Sequence, residues 1–257
     1  MGSLGRLFGG AFALYGRHAG AFLLTSGLLW APLAVIRLVT TKWGYGRDGL
    51  SLLDVPELFG ALFAYGALAL LAAELRVGGD ASWRLSWARA LSRARPIITS
   101  ALFGLTPVFL LGAVLGAVPA VLISSVCAAS GHRVSSVEFI IYFSAVLCAP
   151  YAALVTIVAP IEGIGGFAAA HRAHALLKGD TWRKVAFLMA VTVPLYAVQP
   201  LLRLLLPARP SWVTLLVGIV SALANPAIAI VSLDVYRAAR AARDATGDTE
   251  LRADVLR

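Results

Sequence analysis

The chain has 257 residues, of which 60% are apolar and only 14% are charged, and its formal net charge is +9. Soluble domains carry about 25% charged residues, so this composition argues against a soluble fold. Several apolar runs reach roughly 20 residues, which is enough for a helix to cross a hydrocarbon core of about 30 Å. The short alternating segments of a transmembrane β-barrel are absent from the sequence. The expected fold class is all-α, a polytopic membrane helical bundle.

The basic residues lie between the apolar runs and form no nucleic-acid-binding signature. At those positions they would face anionic lipid headgroups. The predicted partners are therefore a bilayer with anionic headgroups and a membrane protein or second copy of the chain, with no nucleic acid and no cofactor. The 19 arginines against 3 lysines are typical of a GC-rich bacterial genome. Cys127 and Cys148 lie in or beside apolar runs and are expected to be small buried hydrophobes.

The first part of the chain predicts an interfacial helix followed by two spans. Residues 4–15 carry apolar side chains at helical spacing, and spans 1 and 2 follow at about 19–40 and 57–77. The next amphipathic segment, 81–95, has Trp83 and Trp87 on its apolar side, with arginines roughly opposite. We expect this helix to lie on the cytoplasmic membrane surface with its tryptophans towards the acyl chains.

The remaining chain repeats that order. Span 3 covers about 97–126 and contains two prolines, which predict a tilt or kink, and span 4 covers about 137–159. A third amphipathic segment at 164–178 leads to span 5 at about 185–206, span 6 at about 211–235 and a charged tail. The sequence thus predicts one transmembrane domain, 1–236, and a cytoplasmic tail, 237–257. The domain divides into three elbow-helix-plus-hairpin units, at about 3–77, 81–160 and 162–236.

The distribution of basic residues predicts the orientation of the six spans. On the side of both termini lie 16 lysines and arginines, and 6 lie on the other side. Since positive charge is retained in the cytoplasm, both termini are expected there, in a bacterial inner membrane.

The stretch from Pro160 to Arg183 resembles a family of bacterial six-span membrane proteins. That family includes the membrane domains fused to some glycerophosphodiester phosphodiesterases, together with uncharacterised stand-alone proteins. The residues that carry the resemblance are Pro160, Glu162, Gly163, Ala169, Arg172, Leu177, Gly179, Trp182 and Arg183. The N-terminal Tyr15-Gly16-Arg17-His18 and the closing Asp234-Val235-Tyr236-Arg237 are similar in kind.

What this resemblance implies is architecture and membrane location. Ala173 stands where the family often has serine, and the closing acid-aromatic-basic order is rearranged here. The phosphodiesterase activity of fused members resides in a separate soluble domain, so the resemblance carries no catalytic residue to this chain.

Three acids close the three returning spans, and they are the main candidate site. Glu74, Glu162 and Asp234 each sit where the helix dipole and nearby hydrocarbon disfavour a carboxylate. We expect at least two of them to form structural ion pairs with bases of the amphipathic segments; the alternative is that all three reach water. The candidate bases are Arg17, Arg95, Arg172, Arg183 and Lys184, with Arg76 and Arg237 available locally.

Two other groups of residues are weaker candidates. Gln199, Arg203 and Asn225 lie within or near spans, and the Gln199-Pro200 and Asn225-Pro226 pairs interrupt helices, as substrate pathways in transporters do. The alternative is a kink satisfied by neighbouring helices. His171 and His174 are spaced to begin a metal site with Glu162 or His18, but nothing fixes a third ligand, so interfacial packing is favoured.

No catalytic motif accompanies these features, and the sequence predicts that the chain is not an enzyme. The expected function is a non-catalytic membrane module that acts through protein or lipid partners. The alternative is a small transporter or a lipid-handling, translocating protein.

Overall fold

The computed structural model of the chain describes residues 2–42, 54–79, 82–129, 151–178 and 211–244, and the single residues 186, 188, 190 and 254. The described chain is 93% helical and contains no strand. The all-α expectation is therefore confirmed.

The described helices are numbered in chain order. They are α1 (Gly2–Arg17), α2 (Ala19–Lys42), α3 (Asp54–Arg76), α4 (Trp83–Ser92), α5 (Ala94–Thr99), α6 (Thr106–Ala129), α7 (Tyr151–Glu162), α8 (Gly166–Leu177) and α9 (Ser211–Asp244). A π-helical segment, Ser100–Leu105, joins α5 to α6. We call α1, α4 and α8 the elbow helices, α2 and α6 the outer helices, and α3, α7 and α9 the inner helices.

Two described helical segments are long and apolar enough to cross a membrane, Ala19–Ile36 and Gly218–Asp244. The number rises to four if each of two bent pairs is one span. One pair bends by 42° between Ala94–Leu105 and Leu110–Pro119, in the segment whose prolines predicted a kink. Most of span 4 and most of span 5 lie outside the described residues. The structure thus has two to four candidate membrane spans among the residues it describes.

The inner helices form the core, while the outer helices surround it. Seven consecutive residues of α3, 67–73, are fully buried, and the consecutive stretches 157–161 of α7 and 228–236 of α9 are buried all round. A helix that is apolar on every side is expected in such a central position. The outer helices instead expose large apolar side chains: Leu24, Leu28, Val35, Leu110, Val114, Val118 and Leu122.

Polar contacts as well as apolar packing tie the inner helices together. The Tyr65 hydroxyl of α3 lies 3.1 Å from Ser232 Oγ of α9, in a buried position. A Cβ added to Gly66 would lie 3.7 Å from Pro160 Cβ, which shows how closely α3 approaches α7. The three helices therefore share one core, and each ends near the same face of the bundle.

The π-helical segment receives the third elbow helix. A Cβ on Gly104 would lie 3.0 Å from the carbonyl oxygen of Gly166, and the Phe103 and Phe167 rings are 6.1 Å apart. A Cβ on Gly165 would lie 2.8 Å from Pro96 Cα. The backbone before α8 thus rests directly on the backbone of α5, an approach that glycine allows.

Candidate functional site

A layer of charged side chains contains the three predicted acids. Glu74 and Glu162 lie in the last turns of α3 and α7, whereas α9 continues beyond Asp234 to Asp244, so the predicted helix C-terminus at Asp234 is wrong. The Glu74 and Asp234 side chains are only 5% and 6% exposed, and that of Glu162 is 14% exposed. Carboxylates buried to this extent require charged or hydrogen-bonding partners. The structure places a basic side chain against each of the three. We call this set of acids and their partners the charged layer.

Glu74 is paired with Arg89 of elbow helix α4. Arg89 Nη1 donates to Glu74 Oε1, while Glu74 Oε2 is buried without a hydrogen-bond partner among the described residues. The chain turns between the two helices at Gly78, whose φ is +76°, and the Gly79 amide donates to the Glu74 carbonyl at 2.9 Å. This glycine C-cap brings α4 back over the end of α3.

Glu162 is paired with Arg172 of elbow helix α8. Arg172 Nε lies 3.0 and 3.1 Å from the two carboxylate oxygens, and the Tyr236 hydroxyl donates to Oε1 at 2.8 Å. Arg172 also donates both Nη atoms to Asp244, at the end of α9. The turn between α7 and α8 is made at Gly163, whose φ is +68°, and bends the chain by 115°. One arginine therefore joins the ends of two inner helices.

Asp234 is paired differently, with a base from an inner helix. Arg76 Nη2 of α3 lies 2.5 Å from Asp234 Oδ2, and Arg237 Nη1 lies 3.9 Å from Oδ1. Elbow helix α1 packs against α9 here and places Gly10 beside Arg76. A Cβ on Gly10 would be in van der Waals contact with Arg76 Nη2, at 3.7 Å. Here α1 lies against the base instead of supplying it.

The predicted bases thus divide into two groups. Arg172, Arg76 and Arg237 lie against the predicted acids, whereas Arg17 and Arg95 form no ion pair with any residue the structure describes. Arg183 and Lys184 lie outside the described residues. Sequence reasoning missed Arg89, Tyr236 and Asp244 as partners in the charged layer. The available signal was position in the sequence, since Tyr236 follows Asp234 in the closing residues already quoted and Arg89 belongs to the amphipathic segment 81–95.

For α4, the structure differs from the expectation at Trp87 and at the arginines. Ser86 and Ala90 are buried, and Arg89 and Arg93 lie on the same inward side, where the sequence predicted the solvent face. Trp87 was expected to face the acyl chains, but it packs against Ala67, Leu70, Ala90 and Ile97. Its Nε1 donates to the Thr25 carbonyl at 3.2 Å. The two arginines turn this side of α4 towards the bundle, because acid and carbonyl acceptors lie there. The apolar side does not decide the orientation of the helix, because apolar side chains pack equally well against lipid and protein.

Beside the charged layer, Arg93 and Arg240 meet at Asp254 of the C-terminal tail. Arg93 Nη2 donates to the Asp254 carbonyl, and Arg240 Nη1 lies near the Asp254 carboxylate, both at 2.7 Å. Arg93 also donates to the carbonyl oxygens of Pro160 and Ile161, at the end of α7. Burial lowers the pKa of the Arg93 guanidinium, and the nearby charge of Arg89 lowers it further. We call the site formed by Arg93 and Arg240 the arginine notch.

The predicted pathway residues are only partly described. Asn225 and Pro226 lie inside α9, while Gln199 and Arg203 lie outside the described residues. Proline removes a backbone donor and leaves a carbonyl one turn earlier without its usual partner. Pro226 thereby removes the donor to the Ala222 carbonyl. The next carbonyl, that of Leu223, accepts a hydrogen bond of 3.2 Å from the Tyr15 hydroxyl of α1. The expected interruption at Asn225-Pro226 is not found, because α9 continues as a helix through Pro226, and α1 contacts it beside the proline.

The two histidines lie on the exposed side of α8, away from the Glu162 carboxylate and its partners. Among the residues that the structure describes, no three histidine, cysteine, aspartate or glutamate side chains are grouped to hold a metal ion.

No protein-family model matches the chain. No characterised protein matches its sequence. No solved structure matches its fold. The function must therefore be argued from the charged layer and the surfaces around it.

Proposed function

We propose that the chain is a non-catalytic, multi-pass module of a bacterial inner membrane, with six spans and both termini in the cytoplasm, that acts through lipid or protein partners. The resemblance to the six-span family agrees with this architecture, and the two to four candidate spans are compatible with it. The charged layer would then lie at the cytoplasmic surface. Its side chains hold elbow helices against inner helices, which is a structural use of charge.

The observation that carries the proposal is that the basic residues in and beside the elbow helices form two groups, one facing the bundle and one facing outward. The bases that face inward contact acids or carbonyl groups. Those that face outward are exposed and form no ion pair with any described residue: Arg17, Arg84, Arg95 and Lys178. Bases left unpaired in this way are available to anionic headgroups, each contributing about 1 kcal/mol to attraction by an anionic membrane surface.

Each elbow helix also exposes a large apolar side chain on its outer side. Phe12 of α1, Leu91 of α4 and Phe167 of α8 are 59%, 58% and 65% exposed. An apolar anchor beside a basic residue is the pattern of a helix lying in the membrane interface. The partner that fits these three surfaces is the anionic phospholipid of the cytoplasmic leaflet.

Lipid retention tests the proposal. We expect the protein, extracted in mild detergent, to retain phosphatidylglycerol when analysed by native mass spectrometry. Replacing the outward bases together, as Arg17→Gln, Arg84→Gln, Arg95→Gln and Lys178→Gln, should reduce that retention severalfold. Arg243→Gln is the control, since Arg243 is exposed but donates to the Ala175 carbonyl at 2.8 Å. Equal retention by all proteins would reject the lipid partner.

Reporter fusions test the topology independently. Fusions after Gly79, Gly131, Gly179 and Arg257 should report cytoplasm, periplasm, cytoplasm and cytoplasm in turn. A periplasmic signal from the last fusion would reject the proposed orientation.

A specific observation favours the transporter alternative. Ser26 Oγ and Trp30 Nε1 are buried in α2 and have no hydrogen-bond partner in the part of the chain that the structure describes. They lie one turn apart on a helix that packs against α9, which carries Asn225 and Pro226. Unpaired polar atoms beside the Asn225-Pro226 pair favour a polar pathway, although α9 continues as a helix through Pro226.

Accessibility to solvent distinguishes this alternative. In a chain whose own cysteines are replaced by serine, Ser26→Cys and Asn225→Cys should react with a membrane-impermeant thiol reagent if a pathway exists. Ala69→Cys, at a fully buried position of α3, is the unreactive control. Absence of reaction at both test positions would remove the alternative.

A further inference from the structure

The arginine notch draws its two guanidinium groups from distant parts of the chain. Arg93 lies between α4 and α5, and Arg240 lies in the last turns of α9. They meet at one residue, Asp254, which offers its backbone carbonyl to Arg93 and its carboxylate to Arg240. The residue that joins them comes from the tail and not from the bundle.

Both guanidinium groups also contact residues outside the tail. Arg93 Nη1 donates to the carbonyl oxygens at the end of α7, with Ile161 at 3.0 Å, while its Nη2 donates to Asp254. Arg240 donates to the Tyr236 hydroxyl at 3.0 Å, and its side chain is only 12% exposed. Asp244 lies 3.9 Å from Arg240, but it is held mainly by Arg172. Residues of the bundle therefore help to orient both donors of the notch.

The electrostatics of the notch favour an anion. Burial and the neighbouring Arg89 both lower the pKa of Arg93, which means that positive charge is disfavoured there. Asp254 opposes this effect by bringing negative charge. A group that carries more charge and more acceptor oxygens than a carboxylate would oppose it more strongly, and guanidinium groups match phosphate oxygens in geometry.

We propose that the arginine notch is a binding site for a phosphate group, and that Asp254 of the tail occupies it as an internal competitor. When Asp254 leaves, Arg93 and Arg240 bind phosphate oxygens in its place. The tail thereby sets the ligand concentration at which the site fills. The phosphate comes either from a phospholipid headgroup or from a free phosphate anion. The assignment of the phosphate to a lipid headgroup rests on the proposed function as a membrane module, whereas the phosphate site itself does not depend on that function.

Phosphate titration of the detergent-purified full chain tests the site. The unfolding temperature is measured against inorganic phosphate at constant ionic strength, with chloride as the reference anion. Asp254→Asn removes the charge of the competitor and keeps its size. We expect half-maximal stabilisation of this variant at a phosphate concentration at least tenfold lower than for the unaltered chain.

Two further variants show whether the effect belongs to the notch. Adding Arg93→Gln to Asp254→Asn should abolish the saturable stabilisation. Asp248→Asn removes another acid of the same tail and should leave the titration unchanged. The proposal is overturned if Asp248→Asn reproduces the gain, or if the double variant retains it.

Nanodiscs distinguish the two sources of phosphate. If the Asp254→Asn variant unfolds at a higher temperature in phosphatidylglycerol nanodiscs than in phosphatidylcholine nanodiscs, without free phosphate, the headgroup is the source of the phosphate. Stabilisation by inorganic phosphate alone identifies the free anion, and no stabilisation by either overturns the proposal. Because the phosphate titration is done in detergent, it succeeds or fails independently of the proposed topology.

A measurement on the unaltered chain keeps the proposal testable if the variants do not fold. Hydrogen exchange in the tail around Asp254 should accelerate at least threefold when saturating phosphate displaces it from the notch. Unchanged exchange at concentrations that stabilise the protein would overturn the competition.

Discussion

We call the surroundings of Glu74, Glu162 and Asp234 the first, second and third joints between elbow and inner helices. The joints differ in which helix supplies the arginine that pairs with the acid. At the joints of Glu74 and Glu162, the following elbow helix supplies the arginine. At the joint of Asp234, elbow helix α1 supplies a glycine, and Arg76 reaches across from α3. The comparison teaches that each of these acids of an inner helix is neutralised by an arginine, while the helix that supplies the arginine varies.

The largest expected effect breaks the first joint. Arg89→Gln leaves Glu74, whose side chain is 5% exposed, buried without its charged partner. Orphaning one member of a buried ion pair costs about 3–5 kcal/mol, so we expect a marked fall in the unfolding temperature in detergent. Arg84→Gln is the matched control, because Arg84 is in the same helix but is exposed and stacks on Trp83. Equal effects of the two substitutions would contradict the pairing.

The second joint is tested by a double-mutant cycle. Glu162→Gln and Arg172→Gln should each destabilise the protein, and Arg172→Gln more so, because Arg172 also binds Asp244. Once one partner is removed, removing the other should add little, which gives a coupling energy of about 1–3 kcal/mol. Chemical unfolding in detergent measures it. Strict additivity would show that the two side chains do not depend on each other.

The third joint is tested through glycine. Gly10→Leu places a side chain where the Arg76 guanidinium lies, 3.7 Å from the position of a Cβ, and should displace it from Asp234. Overpacking of this kind costs about 1–3 kcal/mol, measured by unfolding in detergent. Gly9→Leu changes helix propensity equally, but a Cβ there meets nothing within 4 Å. If Gly9→Leu destabilised the protein as much as Gly10→Leu, contact with Arg76 would not explain the effect of Gly10→Leu.

The smallest expected effect concerns the contact between α1 and α9 beside Pro226. Tyr15→Phe removes the hydroxyl that donates to the Leu223 carbonyl and should cost about 0.5–1.5 kcal/mol. The Tyr15 ring would keep its edge contact with Phe22, so packing is preserved. A loss no greater than experimental error, measured by unfolding in detergent, would mean that this hydrogen bond does not stabilise the contact.

Much of this arrangement could be predicted from the sequence, because it rests on local pattern. The elbow segments carry amphipathic spacing, and the acids stand out because a carboxylate is unfavourable at a helix C-terminus. The choice of Arg89 over Arg95 could not be predicted. Both arginines belong to the same segment, and the turn at Gly78 decides which one reaches Glu74. At Asp234, the pairing with Arg76 of α3 instead of a base from an elbow helix depends on contacts between residues distant in sequence.

The orientation of α4 shows a second kind of limit. In a membrane environment an apolar stripe does not distinguish lipid from a neighbouring helix, because both accept it equally. Helical periodicity therefore identified the apolar side that contains Trp87. The assignment of Trp87 to the acyl chains was wrong, because Trp87 packs against the bundle. The small residues Ser86 and Ala90 were the better signal, since they let the helix approach the bundle closely.

The contact of Gly165 with Pro96 constrains how the bundle can move. A contact between two backbones has no rotatable side chain that could swing aside, so sliding one segment past the other would cause a direct collision. The entrance of α8 and the start of α5 must therefore travel together in any collective motion. A side chain at Gly165 would collide with Pro96, so the two segments would have to shift apart. Any rearrangement that opens the bundle must therefore hinge elsewhere and carry this pair of segments as one rigid unit.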